Sequence, residues 1–165
     1  MQEMDLIGVR VEMPTNAPMV LLRERNGSQR IVPIYIGAQE ATAIALALDG
    51  VDTPRPMTHD LMRDLLNVLA VDMLRVVITS LRDKTFFAEL HLQIGEQRHL
   101  VSCRPSDAIA LAVRTSSDIY AADEVLDEVG FRESDIGPSE QSEEVVEEFK
   151  EFLDNISPED FEDRS

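Results

Sequence analysis

Seven polar residues lie in three short segments, and their types could carry out chemistry on a phosphate group. Carboxylates supply the oxygen ligands that Mg²⁺ and Mn²⁺ prefer, imidazole exchanges protons near neutral pH, and guanidinium groups bind phosphate through paired hydrogen bonds. In chain order these residues are Glu40, Arg55, His59, Asp60, Arg104, Ser106 and Asp107. A metal ion held by the carboxylates would activate water against a phosphodiester while Arg55 or Arg104 binds the phosphate.

Five of these residues also have a structural explanation, and for them both explanations stay open at this stage. Thr58 and Ser106 have the side chains that helix N-caps favour, and the helix dipole favours an acid in the first turn. Capping, dipole or surface ion-pair roles therefore account for His59, Asp60, Arg104, Ser106 and Asp107. Glu40 is different, because it stands at the start of a helix predicted to be wholly buried.

Two Ala-rich helices are expected to position these residues. Residues 39–48 and 107–115 are predicted to be helical, and within them the segments 43–48 and 108–113 differ only at the last residue. Both are apolar on all sides, so each should be covered on two sides. Each follows a strand and a polar elbow, which indicates two related strand–helix units, with chance similarity as the alternative. If the units face each other, their N-terminal ends converge on one polar site.

Apolar segments bounded by turn residues predict seven strands. Asn26-Gly27 predicts a type I′ hairpin turn, and Pro33 places its strand at a sheet edge or a bulge. One further helix is expected from Thr58 to about Leu69 and a short one from Asp123 to Val129. The expected fold class is α+β, with a mostly antiparallel or mixed sheet that is open or barrel-like. The strands are expected at residues 4–13, 19–25, 30–36, 73–81, 85–94, 98–103 and 119–121.

The charge of the chain is strongly negative and unevenly distributed. The formal net charge is −17, and residues 139–165 hold eleven acidic residues against two basic ones. The mildly acidic remainder argues against sequence-independent binding to phosphate backbones, which depends on clustered Lys and Arg. Nucleic-acid chemistry would then need a local Arg patch, bound metal ions or an oligomeric groove.

The uneven charge suggests a domain at residues 1–137 and an acidic, amphipathic helical tail at residues 138–165. Residues 143–156 form the predicted tail helix. An isolated helix of this length is marginally stable in water, so its apolar stripe should dock on its own domain or on a partner. The stripe consists of Val145, Phe149, Phe152, Leu153 and Ile156.

The sequence favours a soluble cytoplasmic protein with no membrane partner. It has no signal-peptide pattern at its start and no apolar segment near the roughly 18 residues that span a bilayer. The single cysteine, Cys103, is expected to be a small core residue rather than a nucleophile. The motifs of phosphate loops, serine hydrolases, zinc proteases and zinc-binding cysteine pairs do not occur in the sequence.

Three motifs resemble the bifunctional nuclease family of bacteria and plants. They are residues 33–48 (Pro-Ile-Tyr-Ile-Gly followed by Glu-Ala-Thr-Ala-Ile-Ala-Leu-Ala-Leu), residues 54–61 (Pro-Arg-Pro-Met-Thr-His-Asp-Leu) and residues 103–112 (Cys-Arg-Pro-Ser-Asp-Ala-Ile-Ala-Leu-Ala). The resemblance covers roughly residues 4–130. It implies an α+β domain that forms homo-oligomers and a nuclease activity toward DNA and RNA. The seven polar residues named above are the polar positions of these motifs.

The leading hypothesis is a metal-assisted nuclease of low sequence specificity, with Mg²⁺ or Mn²⁺ as the metal. Glu40, Asp60 and Asp107 are the expected metal ligands, and His59 is the expected general acid or base beside the catalytic Asp60 and Asp107. Substrate binding is assigned to Arg55, Arg104 and Ser106. The alternative is a non-catalytic oligomeric regulatory or protein-binding module, which the negative charge favours.

Overall fold

Two three-stranded meanders, each followed by an Ala-rich helix, make up most of the structure. The structure is a computed structural model that describes residues 1–132. The first unit consists of β1 (Gln2–Glu12), β2 (Ala17–Glu24), β3 (Ile31–Tyr35) and α1 (Ala38–Leu48). The second consists of β4 (Val71–Arg82), β5 (Thr85–Ile94), β6 (Gln97–Cys103) and α3 (Pro105–Thr115). Helix α2 (Thr58–Val68) connects the units, and β7 (Asp118–Ala121) and α4 (Asp123–Val129) follow them.

All seven strands belong to one mixed sheet, which confirms the α+β class. Its order is β3-β2-β1-β7-β4-β5-β6. Strand β7 pairs antiparallel with β1 and parallel with β4, so the two meanders lie on either side of it. The sheet is not closed, because β3 and β6 each have one strand neighbour, and the barrel-like arrangement is therefore wrong. The edge position predicted from Pro33 is confirmed, because β3 is the last strand on its side of the sheet. On its outer side an edge strand has no neighbouring strand that needs the missing N–H.

The two Ala-rich helices differ in burial, although their sequences are alike. Helix α3 buries every residue from Ala108 to Ala112 in the core. Helix α1 buries Ala41, Ala43 and Ile44, whereas Leu48 at its C-terminal end is exposed. The expectation of two buried Ala-rich helices is therefore confirmed for α3, in which no residue is exposed, and wrong for α1. The periodicity could not distinguish them, because small alanines give α1 no polar stripe to mark its solvent side.

Three local predictions are wrong, each for a backbone reason. The connection between β2 and β3 spans six residues, and Gly27 has a positive φ while Asn26 does not, so it is not a type I′ hairpin. Met57 and Arg104 hold the N-cap positions predicted for Thr58 and Ser106. Thr58 is instead the first residue of α2, and Pro105 opens α3, where its missing N–H costs nothing.

No helix within residues 1–132 is long and apolar enough to cross a bilayer. The predicted tail helix and the domain boundary after residue 137 lie outside the described residues.

Candidate functional site

The N-terminal ends of α1 and α3 meet through Arg104. Its Nη1 donates to Glu40 Oε1 over 2.8 Å, which joins the two helical units. Its Nε and Nη2 donate to the two carboxylate oxygens of Asp107 over 2.7 and 3.0 Å. The predicted convergence of the two polar elbows is therefore observed for Glu40, Arg104 and Asp107.

Local sequence explains how the two acids reach Arg104. At Gly37, immediately before α1, a Cβ atom would collide with the Glu40 carboxylate, so a residue without a side chain lets that carboxylate fold back over the helix start. At α3, Pro105 fixes the first helical residue and directs Arg104 out of the helix with an extended backbone. Asp107 then lies in the first turn of α3, within reach of the Arg104 guanidinium.

His59 completes this group from α2. Its Nε2 lies 3.0 Å from Asp107 Oδ1, and its ring is buried. Of the two neutral tautomers, the one with hydrogen on Nε2 donates to this carboxylate, and in that tautomer Nδ1 carries the acceptor lone pair. The hydrogen bonds from Arg104 and, secondarily, His59 hold the pKa of Asp107 below its usual range, against the opposing effect of its partial burial. We call Glu40, His59, Arg104 and Asp107 the outer cluster.

Asp60 does not belong to the outer cluster. Its Oδ1 accepts a 2.6 Å hydrogen bond from Arg114 Nε at the last turn of α3, and its Oδ2 accepts one from the Met57 N–H. Arg114 also donates to the carbonyls of Ala110 and Ala43, and its side chain is only 5% exposed. We call Asp60 and Arg114 the inner pair. The Arg114 ion pair lowers the pKa of Asp60, so this carboxylate is ionised and occupied.

The remaining predicted residues, Arg55 and Ser106, have different positions. Arg55 is exposed in the connector before α2, and within residues 1–132 its side chain makes no hydrogen bond or ion pair with the outer cluster. Ser106 is buried and lines a groove of about 290 Å³ together with Glu40 and Arg104. The predicted site is thus brought together in part.

Two cationic residues near these groups were missed by the sequence-based interpretation. Lys84, in the β4–β5 turn, lines the same groove as Arg104 and is the second cation there. Arg114 is the one charge in the last turn of an otherwise apolar, buried helix, and that contrast was the signal that it must have an internal partner. Lys84 gave no signal, because a charged residue in a tight turn is ordinary.

The three expected metal ligands do not form a metal site. Glu40 and Asp107 are both bound to Arg104, and Asp60 is bound to Arg114. Among the residues that the structure describes, no group of three or more His, Cys, Asp or Glu side chains is arranged to hold a metal ion. As arranged, the donor set therefore does not fit Mg²⁺ or Mn²⁺, because these ions are held by carboxylates that are free to coordinate them and all three carboxylates here are bound to arginines.

Arg104 keeps binding capacity for an anion. A guanidinium group has five N–H donors, and three of them are used by Glu40 and Asp107. Two donors remain on a side chain that is 65% exposed at the mouth of the groove. The paired acids fix the orientation of the guanidinium, so a phosphate oxygen would meet a pre-positioned donor rather than a mobile side chain.

The protein is thus an α+β domain with an open mixed sheet. A polar cluster lies where the N-terminal ends of two of its helices meet. The sequence model of the bifunctional nuclease domain matches residues 20–134. The chain therefore belongs to the bifunctional nuclease domain family.

Similar proteins fall into two groups. An uncharacterized protein of Mycobacterium tuberculosis (strain H37Rv) is 46% identical over 98% of both chains. "Bifunctional nuclease 2" of Arabidopsis thaliana is 28% identical over 76% of this chain and 40% of its own length. "Bifunctional nuclease 2" of Oryza sativa subsp. japonica is 27% identical over 62% of this chain and 33% of its own length. The chain thus spans less than half the length of these plant relatives.

Proposed function

We propose that this protein hydrolyses phosphodiester bonds in DNA and RNA with low sequence specificity, through the outer cluster. The observation that carries the proposal is the 3.0 Å contact between His59 Nε2 and Asp107 Oδ1, beside an exposed Arg104 with donors to spare. Membership of the nuclease family and the names of the plant relatives support the same reaction class. A sugar–phosphate backbone carries the same phosphate in DNA and RNA, so a site that binds phosphate alone accepts both.

Five residues have defined roles in this proposal. Asp107 orients His59 and stabilises the imidazolium that forms when Nδ1 takes a proton from the attacking water. The water oxygen bonds to phosphorus as the P–O bond to the leaving sugar oxygen breaks, and the imidazolium returns the proton to that oxygen. Arg104 binds the phosphate and stabilises the charge that accumulates in the transition state. Ser106 and Lys84 line the groove that receives the backbone. The expected Mg²⁺ or Mn²⁺ enters none of these steps, because Glu40, Asp60 and Asp107 are each bound to an arginine.

The test is hydrolysis of labelled single-stranded DNA and RNA by the purified full-length chain, with EDTA and with added Mg²⁺ or Mn²⁺. Asp107→Asn should lower kcat/KM by about 10²-fold, because the histidine loses its orienting anion. The matched control is Asp64→Asn, since Asp64 forms a 2.7 Å ion pair with Arg63 away from the outer cluster. Equal rates for the wild type and Asp107→Asn would reject the proposed site. Activity that appears only with added metal would reject the metal-free roles while keeping the reaction class.

The proposal extends to location and assembly. We place the protein in the cytoplasm, with nucleic acid as substrate and no membrane partner, and we expect a homo-oligomer. An oligomer would help a chain of net charge −17 to approach a polyanion, because a shared groove can collect cations from several subunits.

A second function, a non-catalytic oligomeric regulatory or protein-binding module, is favoured by one specific observation. All three acids of the predicted site are neutralised by arginines of the same chain. Ion pairs of this kind can simply fasten α1, α2 and α3 to one another. The hydrolysis assay separates the two functions, because a binding module would show no activity that depends on Asp107.

A further inference from the structure

Strands β4, β5 and β6 carry a pocket of about 310 Å³ on the face of the sheet that points away from the core. Along β5, Ala88 and Leu90 face the core, and the alternation of side chains along a strand turns His91 to the other face. Arg75 of β4 and Leu100 of β6 lie directly opposite His91, so these three residues share that face. We call this the sheet pocket. It is lined by Arg75, His91, Arg98, Leu100, Asp118 and Tyr120.

The sheet pocket holds two arginines without an acidic partner. Within residues 1–132, neither Arg75 nor Arg98 forms an ion pair, whereas the arginines of the outer cluster and the inner pair do. Asp118 also lines the pocket, but its single negative charge is outweighed by the two guanidinium groups. The pocket is therefore locally positive in a chain of net charge −17, which makes it a place where an anion would be attracted.

Arg75 is held in position by its neighbours without losing most of its donors. Its guanidinium lies over the Tyr120 ring, 5.5 Å from the centroid, and its Nε lies 3.4 Å from Nδ1 of His91. Burial and, secondarily, the charge of Arg75 lower the pKa of His91, so the ring is neutral near pH 7 and Nδ1 can accept this weak hydrogen bond. The N–H groups on Nη1 and Nη2 of Arg75 remain available to a ligand.

Two guanidinium groups on different strands suit a phosphate better than a carboxylate. A single guanidinium already satisfies the two coplanar oxygens of a carboxylate. The oxygens of a phosphate point to the corners of a tetrahedron, so a second guanidinium that approaches from another side finds an oxygen of its own. Strands β4 and β6 are separated by β5, which places them about 10 Å apart. Arg75 and Arg98 can therefore hold one phosphate between them.

The rim and the size of the sheet pocket indicate what the phosphate is attached to. Leu74 lines the pocket and is 41% exposed, and Leu100 is 63% exposed. Small-molecule pockets begin at about 300 Å³, so this pocket has room for one small group beside the phosphate. The two leucines offer that group an apolar contact. A phosphate carried on a compact organic unit, as in a nucleotide, fits this combination.

We propose that the sheet pocket is a phosphate-binding site, in which Arg75 and Arg98 hold the phosphate of a nucleotide unit. The site is separate from the outer cluster. Arg98 and Arg104 are six residues apart along an extended strand, which corresponds to about 20 Å. The proposal concerns binding alone and does not depend on hydrolysis at the outer cluster.

The first test is isothermal titration calorimetry of the full-length Arg104→Met chain with adenosine 5′-monophosphate. This background removes the phosphate donor of the outer cluster. Adding Arg75→Met or Arg98→Met should raise the Kd at least about tenfold, because each removes charge-assisted hydrogen bonds. The matched control is Arg82→Met, since Arg82 also lies over an aromatic ring, that of Phe87, but does not line the sheet pocket.

Circular dichroism checks that these variants are folded, and exposed Arg98 is the position at which a loss of folding is least expected. Absence of binding in the Arg104→Met background would overturn the proposal. So would a Kd that neither Arg75→Met nor Arg98→Met changes.

A ligand series tests the chemical class and its source. In the Arg104→Met chain, inorganic phosphate should bind more tightly than succinate, and equal affinity for the two would overturn the assignment to phosphate. A short single-stranded oligodeoxythymidylate is then compared with adenosine 5′-monophosphate. Tighter binding of the mononucleotide supports a free nucleotide as the ligand, and tighter binding of the oligonucleotide per phosphate supports a nucleic-acid strand anchored outside the outer cluster.

Histidine NMR locates the bound phosphate. The chain has three histidines, and the ring signal that is missing in His91→Gln belongs to His91. Inorganic phosphate should shift this signal in the Arg104→Met chain, and the shift should disappear when Arg75→Met is added. A shift confined to the signal of His59 would place the phosphate at the outer cluster and overturn the proposal.

Discussion

The two ends of α3 each carry an arginine bound to an aspartate, yet the two ion pairs have opposite significance. At the C-terminal end, the Arg114 side chain is 5% exposed and satisfies Asp60 and two backbone carbonyls. At the N-terminal end, Arg104 is 65% exposed and keeps two free donors. Both guanidinium groups make three such hydrogen bonds, so the difference lies in exposure. The ion pair is structural where the guanidinium is buried, and the remaining donors are available to a ligand where the guanidinium faces solvent.

The largest expected difference between the two ends is in stability. Arg114→Met should lower the free energy of unfolding by about 3 kcal/mol, because it leaves the Asp60 carboxylate and two carbonyls without their donor. Arg104→Met should change the free energy of unfolding far less, since its partners can be solvated. Urea denaturation followed by circular dichroism measures both. The Asp60→Asn/Arg114→Met double variant should lose less stability than the two single losses added together.

The comparison fails if the two arginines behave alike. Equal destabilisation by Arg104→Met and Arg114→Met would mean that the outer cluster is as structural as the inner pair. The hydrolysis assay adds an independent measure, because Arg104→Met should lose activity while remaining folded.

A smaller difference is expected in the acid range. The pKa of Asp60 and that of Asp107 are lowered in the folded state, chiefly by Arg114 and Arg104 respectively. The stability that these carboxylates contribute is therefore fully present above the unfolded pKa of about 3.9 and is lost as the pH falls through the lower folded pKa. Unfolding free energies measured as the pH falls below about 4 should decline less steeply in Asp60→Asn than in the wild type.

The same measurement on Asp107→Asn sharpens the contrast. Its effect on the pH slope should be smaller and more sensitive to salt, because its partner Arg104 is exposed and screened. A larger or salt-independent effect at Asp107 would mean that the outer cluster is sealed from solvent.

Sequence patterns predicted the helices and strands better than the side-chain contacts between them. All seven strands and all four described helices were predicted close to their observed positions, because hydrophobic periodicity and turn residues are local signals. The meeting of Glu40 with Arg104 was also predictable, since both residues lie at the starts of matching helices. The pairing of Asp60 with Arg114 was not predicted. His59 and Asp107 were expected in one catalytic site, but their direct contact was not predicted. These depend on how α2 crosses α3, which is a tertiary property that no local spacing records.

The smallest expected effect concerns the thiol beside the outer cluster. Cys103 precedes Arg104, but its side chain faces the core and burial raises its pKa to about 11. The thiolate population near neutral pH is therefore very small, and a thiol is a poor nucleophile without it. Iodoacetamide should label Cys103 slowly in the folded protein and rapidly in urea, as measured by mass spectrometry. Cys103→Ser should leave hydrolysis unchanged, and rapid labelling of the folded protein would show instead that the thiol opens to solvent at this end of α3.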